Sequence, residues 1–160
     1  MMSILTATTN DLATTFLEAS GLRTVELQAL RVRDVTTSCT GTVWIRVADL
    51  NHSHSQERFV PVLASRKQAV LAALKGRGQG ALLFPHLGST PPEDEQARRT
   101  RYARALYHEL VELLCGNEGV DLLDSYEDAV FAVANALGEK FEVVMDAYLG
   151  LSEKRLSVFA

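Results

Sequence analysis

Apolar residues recur at helical spacing in the first segment, Thr9–Ser20, where Leu12, Phe16, Leu17 and Ala19 fall on one face and predict a helix. Gly21 follows as a left-handed C-cap. A second helix is expected over residues 24–32, burying Val25, Leu27, Ala29 and Leu30. The period then changes from 3.6 to 2. Residues 42–47 (TVWIRV) and 58–63 (RFVPVL) are rich in β-branched and aromatic side chains and read as a hairpin with a long polar tip, ADLNHSHSQE. Pro61 has no amide proton for a ladder, which puts its strand at a sheet edge.

Ser65 is expected to cap a short helix over 66–74, ended by Gly76, and the Gly-rich stretch KGRGQG leads on to LLFP. The strongest helix start is Thr90-Pro91-Pro92-Glu93, with an N-cap, a proline at the first helical position and a glutamate three residues after the cap. That helix should reach Cys115 and stop at Gly116, with Tyr102, Leu106, Leu110, Leu113 and Leu114 as its apolar stripe. Ser125-x-x-Asp128 opens another helix that Gly138 closes, residues 141–149 form a last one, and LSEKRLSVFA is the tail. No repeat or low-complexity tract interrupts the pattern. The expected fold is α+β: one domain over 1–160, mostly helical, with a small antiparallel sheet.

Composition adds bounds. At 160 residues, with 47% apolar and 22% charged residues, the chain can bury a core without a disulfide or metal staple. Cys39 and Cys115 belong to no C-x-x-C pair and read as buried thiols in a reducing compartment. The net charge of −4 argues against coating nucleic acid or anionic membrane with the whole surface. The charge is uneven, however: residues 1–80 hold nine basic and six acidic residues, and residues 81–160 hold seven and fourteen. A local anion site in the first half remains open. The N-terminus lacks a basic n-region and no run approaches the roughly 20 apolar residues of a membrane span, so a cytoplasmic protein with no membrane partner is expected.

The segment ASGLRTVELQALRVRDV, residues 19–35, resembles the first conserved box of the tyrosine recombinase (phage integrase) family, roughly T-G-L-R-x-x-E-L-x-x-L-x-x-x-D-(I/V). Gly21, Leu22, Arg23, Glu26, Leu27, Leu30 and Asp34 fall in place. Further on, QERFVPV is similar to the family's K-E-R-x-V-P-L strand and leads through a short helix to LFP. Leu137-Gly138-Glu139 followed by Tyr148 has the offset of the third box, L-G-H…Y. The resemblance implies the recombinase catalytic-domain fold, without the helical core-binding domain that usually precedes it.

It also implies a chemistry. A tyrosine hydroxyl attacks a DNA phosphodiester and conserves bond energy in a phosphotyrosyl link, with no metal or nucleotide cofactor. Two arginines grip the nonbridging oxygens, and a hairpin lysine and histidines move protons. Carried onto this chain, Arg23 is the first arginine, with a surface ion pair to Glu26 as its plain alternative, and Tyr148 is the nucleophile, with a core tyrosine as its alternative. The hairpin lysine is missing, since the first lysine of the chain is Lys67. His52 and His54 stand in the tip instead, a weak metal hint without further ligands nearby. For the second box, H-x-x-R, two alignments stay open: Arg101-x-x-Arg104 keeps the arginine, and His108-x-x-Val111 keeps the histidine. Glu139 replaces the third-box histidine, and a carboxylate repels a scissile phosphate. Proton-transfer roles of this kind are worth roughly 10²–10⁴-fold each, so impaired catalysis is expected.

Three functions follow from these readings. The first is a catalytically impaired relative that binds DNA weakly through Arg23, Arg31, Arg33, Arg58, Lys75, Arg77 and Arg101. Such a relative would alternatively modulate a full-length recombinase, or self-associate, through the tail over 151–160. The second is an active breaking-and-joining enzyme using Tyr148 with Arg23 and Arg104, and the third is a protein-interaction module without DNA.

Overall fold

The computed structural model describes residues 9–48, 57–88, 92–116 and 122–151. Helix α1 (Thr9–Ser20) turns Ala13, Phe16, Leu17 and Ala19 inward, and the Phe16 ring meets Phe84 edge-on at 5.1 Å. The helix ends as its sequence predicts, at Gly21 with φ +60°. A side chain there is excluded by space as well as by backbone, because a Cβ would lie 2.4 Å from the Tyr102 ring.

Helix α2 (Thr24–Ala29) stops three residues earlier than expected. At Leu30 the backbone turns extended and pairs with residues 81–83: Leu83 N–H donates to the Leu30 carbonyl at 2.9 Å and Val32 N–H to the Ala81 carbonyl at 3.1 Å. That pairing competes with the helix and wins. With so short a helix only the Thr24–Leu27 face is covered, and Val25 is 57% exposed rather than buried; Ala29 is exposed as well.

After a 3₁₀ turn at Val32–Asp34 comes the sheet, β1 (Val35–Thr37), β2 (Val43–Val47) and β3 (Arg58–Pro61), antiparallel in that order. β2 is central, and its alternation buries Val43, Ile45 and Val47. Ile45 stands opposite both Val35 and Val60, and Pro61 pairs with Trp44 on the edge strand that proline requires. β1 was not legible, being three residues with no apolar alternation. The tip histidines His52 and His54 lie outside the described residues.

A 3₁₀ turn at Ala64–Arg66 leads into α3 (Lys67–Leu74). Ser65 does not cap it through its side chain; the free N–H of Ala64 is met by the Glu109 carboxylate at 3.2 Å. Helix α4 (Pro92–Cys115) packs against α1, α5 (Leu122–Leu137) and the last helical segment. Its buried stripe is Arg99, Tyr102, Ala103 and Leu106, whereas Leu113, expected on the stripe, is 68% exposed. α5 starts one turn before Ser125 and packs on β3. The chain then forms α6 (Phe141–Val143), which widens into a π turn over Val144–Leu149. The fold is thus α+β and mostly helical. Cys39 is exposed rather than buried. Among the described residues no helix is long and apolar enough to cross a membrane. Of the tail only Leu151 is described.

Candidate functional site

Arg99 is the centre of the site. It lies on the buried stripe of α4, one turn before Tyr102, and its side chain is 3% exposed. A guanidinium so deep in the fold is costly unless its N–H groups are paired. Two helices supply acceptors with their ends. The Gly21 carbonyl, just past the end of α1, accepts from Nη1 at 3.0 Å, and the Leu137 carbonyl, the last residue of α5, accepts from Nη2 at 3.0 Å. Carbonyls at helix C-termini have no partner in their own helix and carry the negative end of its dipole. Both helices turn away through left-handed glycines, Gly21 and Gly138, and so leave those carbonyls facing one cation.

Two side chains complete the shell of Arg99. Nη2 also donates to Glu139 Oε1 at 3.0 Å, and Nε to the Tyr148 hydroxyl at 3.4 Å. The Tyr148 hydroxyl in turn donates to Gln96 Oε1 at 3.3 Å. Gln96 is exposed, one helical turn before Arg99. The Tyr148 residue is itself buried within the π turn, with its ring centroid 6.0 Å from the Arg99 guanidinium carbon.

Arg23, the N-cap of α2, reaches the same carboxylate: Nη2 lies 3.0 Å from Glu139 Oε1. The ion pair with Glu26 that the sequence allowed is not what orients Arg23. The Glu26 carboxylate instead accepts the Arg23 backbone N–H at 2.8 Å, capping α2, and binds Arg58 at 2.8 Å. Burial alone would lower the Arg23 pKa, but the hydrogen bond and charge of Glu139 outweigh it and hold the group above its ordinary value. Arg23 remains 42% exposed, so the site opens towards solvent on this side.

The structure therefore gathers Arg23, Gln96, Arg99, Glu139 and Tyr148. Two expected members stand elsewhere. Arg104 is exposed and holds Tyr148 by its backbone, Nε to the carbonyl at 3.0 Å, without reaching the hydroxyl. His108 is exposed further along α4, with its ring edge-on to Tyr107, and takes no part in the cluster. Neither expected second-box alignment supplies the cluster; Gln96-x-x-Arg99 does, with the same three-residue spacing. One signal for it was present: an arginine three residues before Tyr102 falls on the apolar stripe of α4, where a charge has to be partnered.

The remaining basic residues divide. Arg31 and Arg33 are drawn to the loop carrying Lys75 and Arg77, since Arg33 N–H donates to the Gln79 carbonyl at 2.9 Å and the Arg31 guanidinium to the Gly80 carbonyl. Arg33, Lys75 and Arg77 are exposed there, with Arg77 bonded to the Leu83 carbonyl at 2.9 Å. Arg101 is exposed on α4. Arg58 is engaged inside the fold instead: besides Glu26 it donates to the Ala136 carbonyl at 3.1 Å, tying β3 to the end of α5. Its charge is neutralised there, which speaks against the expected DNA contact.

Chemically, the cluster places a phenol beside one of two guanidiniums that share one carboxylate oxygen. Among the described residues it contains no histidine, and no group of three or more His, Cys, Asp or Glu is arranged to hold a metal. No protein-family model and no curated protein matches the chain.

Proposed function

We propose that this chain is a tyrosine-recombinase-like domain whose ligand is a DNA phosphate and whose catalysis is impaired, acting in DNA integration or recombination by binding DNA or by modulating a full-length recombinase. The observation that carries this reading is the meeting of Arg23 and Arg99 on a single carboxylate, with the Tyr148 hydroxyl on the other edge of the Arg99 guanidinium. Two guanidiniums and a tyrosine hydroxyl are the groups that phosphodiester transfer to tyrosine needs. The first-box resemblance supports the same assignment for Arg23, and Gln96-x-x-Arg99 fits the second box with an amide in place of the histidine. Impairment follows from the departures. An amide and a carboxylate stand where two proton-transferring histidines are expected, and no lysine precedes Lys67.

Two measurements on one duplex test the proposal. Binding is expected at about 50 mM salt, weakening as salt rises because phosphate contacts release counterions, and weaker again in Arg23→Ala. A nicked suicide duplex is expected to give no covalent adduct under enzyme excess. Absence of any duplex affinity at low salt overturns the DNA reading and leaves a protein-interaction module. An adduct that forms and disappears in Tyr148→Phe makes the chain an active breaking-and-joining enzyme instead.

A further inference from the structure

We infer that Glu139 is a built-in competitor for the site: its carboxylate occupies the place between Arg23 and Arg99 that a phosphate oxygen would take, so that an oxyanion binds only by displacing it. The inference rests on the phosphate reading above for the identity of the ligand, and on geometry for the competition. One oxygen, Oε1, accepts from both Nη2 atoms, each at 3.0 Å. A phosphate oxygen bridging two arginines makes the same pair of charge-assisted bonds. The carboxylate and a phosphate therefore cannot use these two donors at once.

The turn that presents Glu139 is tightly set. Gly138 takes φ +65°, and the Glu139 N–H donates back to the Ala134 carbonyl at 3.0 Å. The backbone is thereby fixed while the side chain remains partly open to solvent. Exposure on the two sides of the carboxylate is unequal. Arg99 is buried and keeps two carbonyl partners whatever Glu139 does, while Arg23 and Gln96 stand at the open side. An incoming anion thus meets Arg23 first and displaces Glu139 from the solvent side. With no ligand, Glu139 neutralises a buried cation that would otherwise be left partly unpaired. With a ligand present, the same contact lowers affinity, because the competent form has to be drawn from an occluded one.

The test uses inorganic phosphate and a short DNA duplex at low salt, with Glu139→Gln and Glu139→Asp. The amide keeps an oxygen for Arg99 while removing the charge, and the shorter carboxylate keeps the charge while drawing it back from one guanidinium. Glu139→Gln should bind inorganic phosphate about tenfold more tightly than the unaltered chain, the scale of one lost charge-assisted bond. Glu139→Asp should gain less, and Arg23→Gln in the Glu139→Gln background should cancel the gain. Thermal melts with and without phosphate report folding and binding together. If neither variant gains affinity for phosphate or duplex, the competition is refuted. Duplex binding by the unaltered chain that depends on Arg23 but does not rise in Glu139→Gln refutes the competition and leaves the DNA reading standing. A gain for inorganic phosphate with no duplex binding by the unaltered chain or by either variant upholds the competition and removes DNA as the ligand.

Discussion

Two tyrosines face the interior from different helical segments, and burial does not tell them apart: Tyr102 is 1% exposed and Tyr148 is 3%. Their hydroxyls do. Tyr102 donates to the Pro61 backbone carbonyl at 2.8 Å, and its ring closes over Gly21. That partner is fixed by the sheet. Tyr148 has only side chains around its hydroxyl, at 3.3 and 3.4 Å, and one of them, Gln96, reaches solvent. A short bond to an immobile carbonyl makes a brace, whereas longer bonds, one of them to an exposed amide that can turn, leave a hydroxyl available to other chemistry. The plain alternative for Tyr148, a core tyrosine, is therefore half right: the ring is core, and the hydroxyl belongs to the site.

The contact that defines the Tyr102 side is also the easiest to break. Gly21→Ala puts a methyl group into the Tyr102 ring and asks an L-residue to hold φ +60°. The backbone cost is about 1 kcal/mol and overpacking against an immobile ring adds about 2 kcal/mol. Urea denaturation should show a loss of about 3 kcal/mol. Gly138→Ala is the control, because its nearest neighbours, atoms of Arg58, lie at an ordinary 3.4 Å and only the backbone term of about 1 kcal/mol should remain. Equal losses at the two glycines would mean that the Tyr102 ring yields, and the contrast with Tyr148 would weaken.

What the sequence made legible follows the strength of each local signal. Helices α1 and α5 were readable because periodicity and a terminal glycine agree, and β2 because Val43, Ile45 and Val47 alternate cleanly. The end of α2 was not, since the pairing of Leu30 with Leu83 is non-local and overrides a helical pattern. In the site, Arg23, Glu139 and Tyr148 were named from a family-like spacing. Arg99 carries no such spacing, because a pattern that asks for a histidine or its neighbouring arginine points to Arg101, Arg104 and His108. An arginine on an apolar stripe is a physical signal that needs no family, because burial demands partners for it. Those partners, the ends of α1 and α5, come together only in the folded chain.

Removing the Tyr102 hydroxyl tests the brace. Tyr102→Phe deletes one bond and leaves the Pro61 carbonyl unpaired, a loss of about 1 kcal/mol at neutral pH. Its pH dependence is more telling. Burial first, and then the charge of Glu109, raise the Tyr102 pKa far above its ordinary value. The phenol therefore stays neutral in the folded chain while it ionises in the unfolded one above pH about 10. The unfolded state then binds fewer protons, so this contribution is intact below pH 10 and falls by about 1.4 kcal/mol per unit above it. The advantage of the unaltered chain over Tyr102→Phe should shrink from pH 10 and vanish near pH 11. A constant difference across that range would show that the hydroxyl is not held neutral.

The smallest effect is expected at Tyr148→Phe. A donor at 3.4 Å sits at the outer limit of a useful hydrogen bond, and Gln96 can turn its amide to water when the hydroxyl goes. Arg99 loses only its weakest partner and keeps Gly21, Leu137 and Glu139. The cost should be about 0.5 kcal/mol or less, well under that of Tyr102→Phe in the same urea titration. The ring stays in place, so any change in duplex affinity reports the hydroxyl and not the fold. A loss as large as that of Tyr102→Phe would make both hydroxyls structural braces and remove the reason to treat Tyr148 as part of an anion site. A small loss leaves a hydroxyl that stability does not require, set beside the Arg99 guanidinium that shares Glu139 with Arg23.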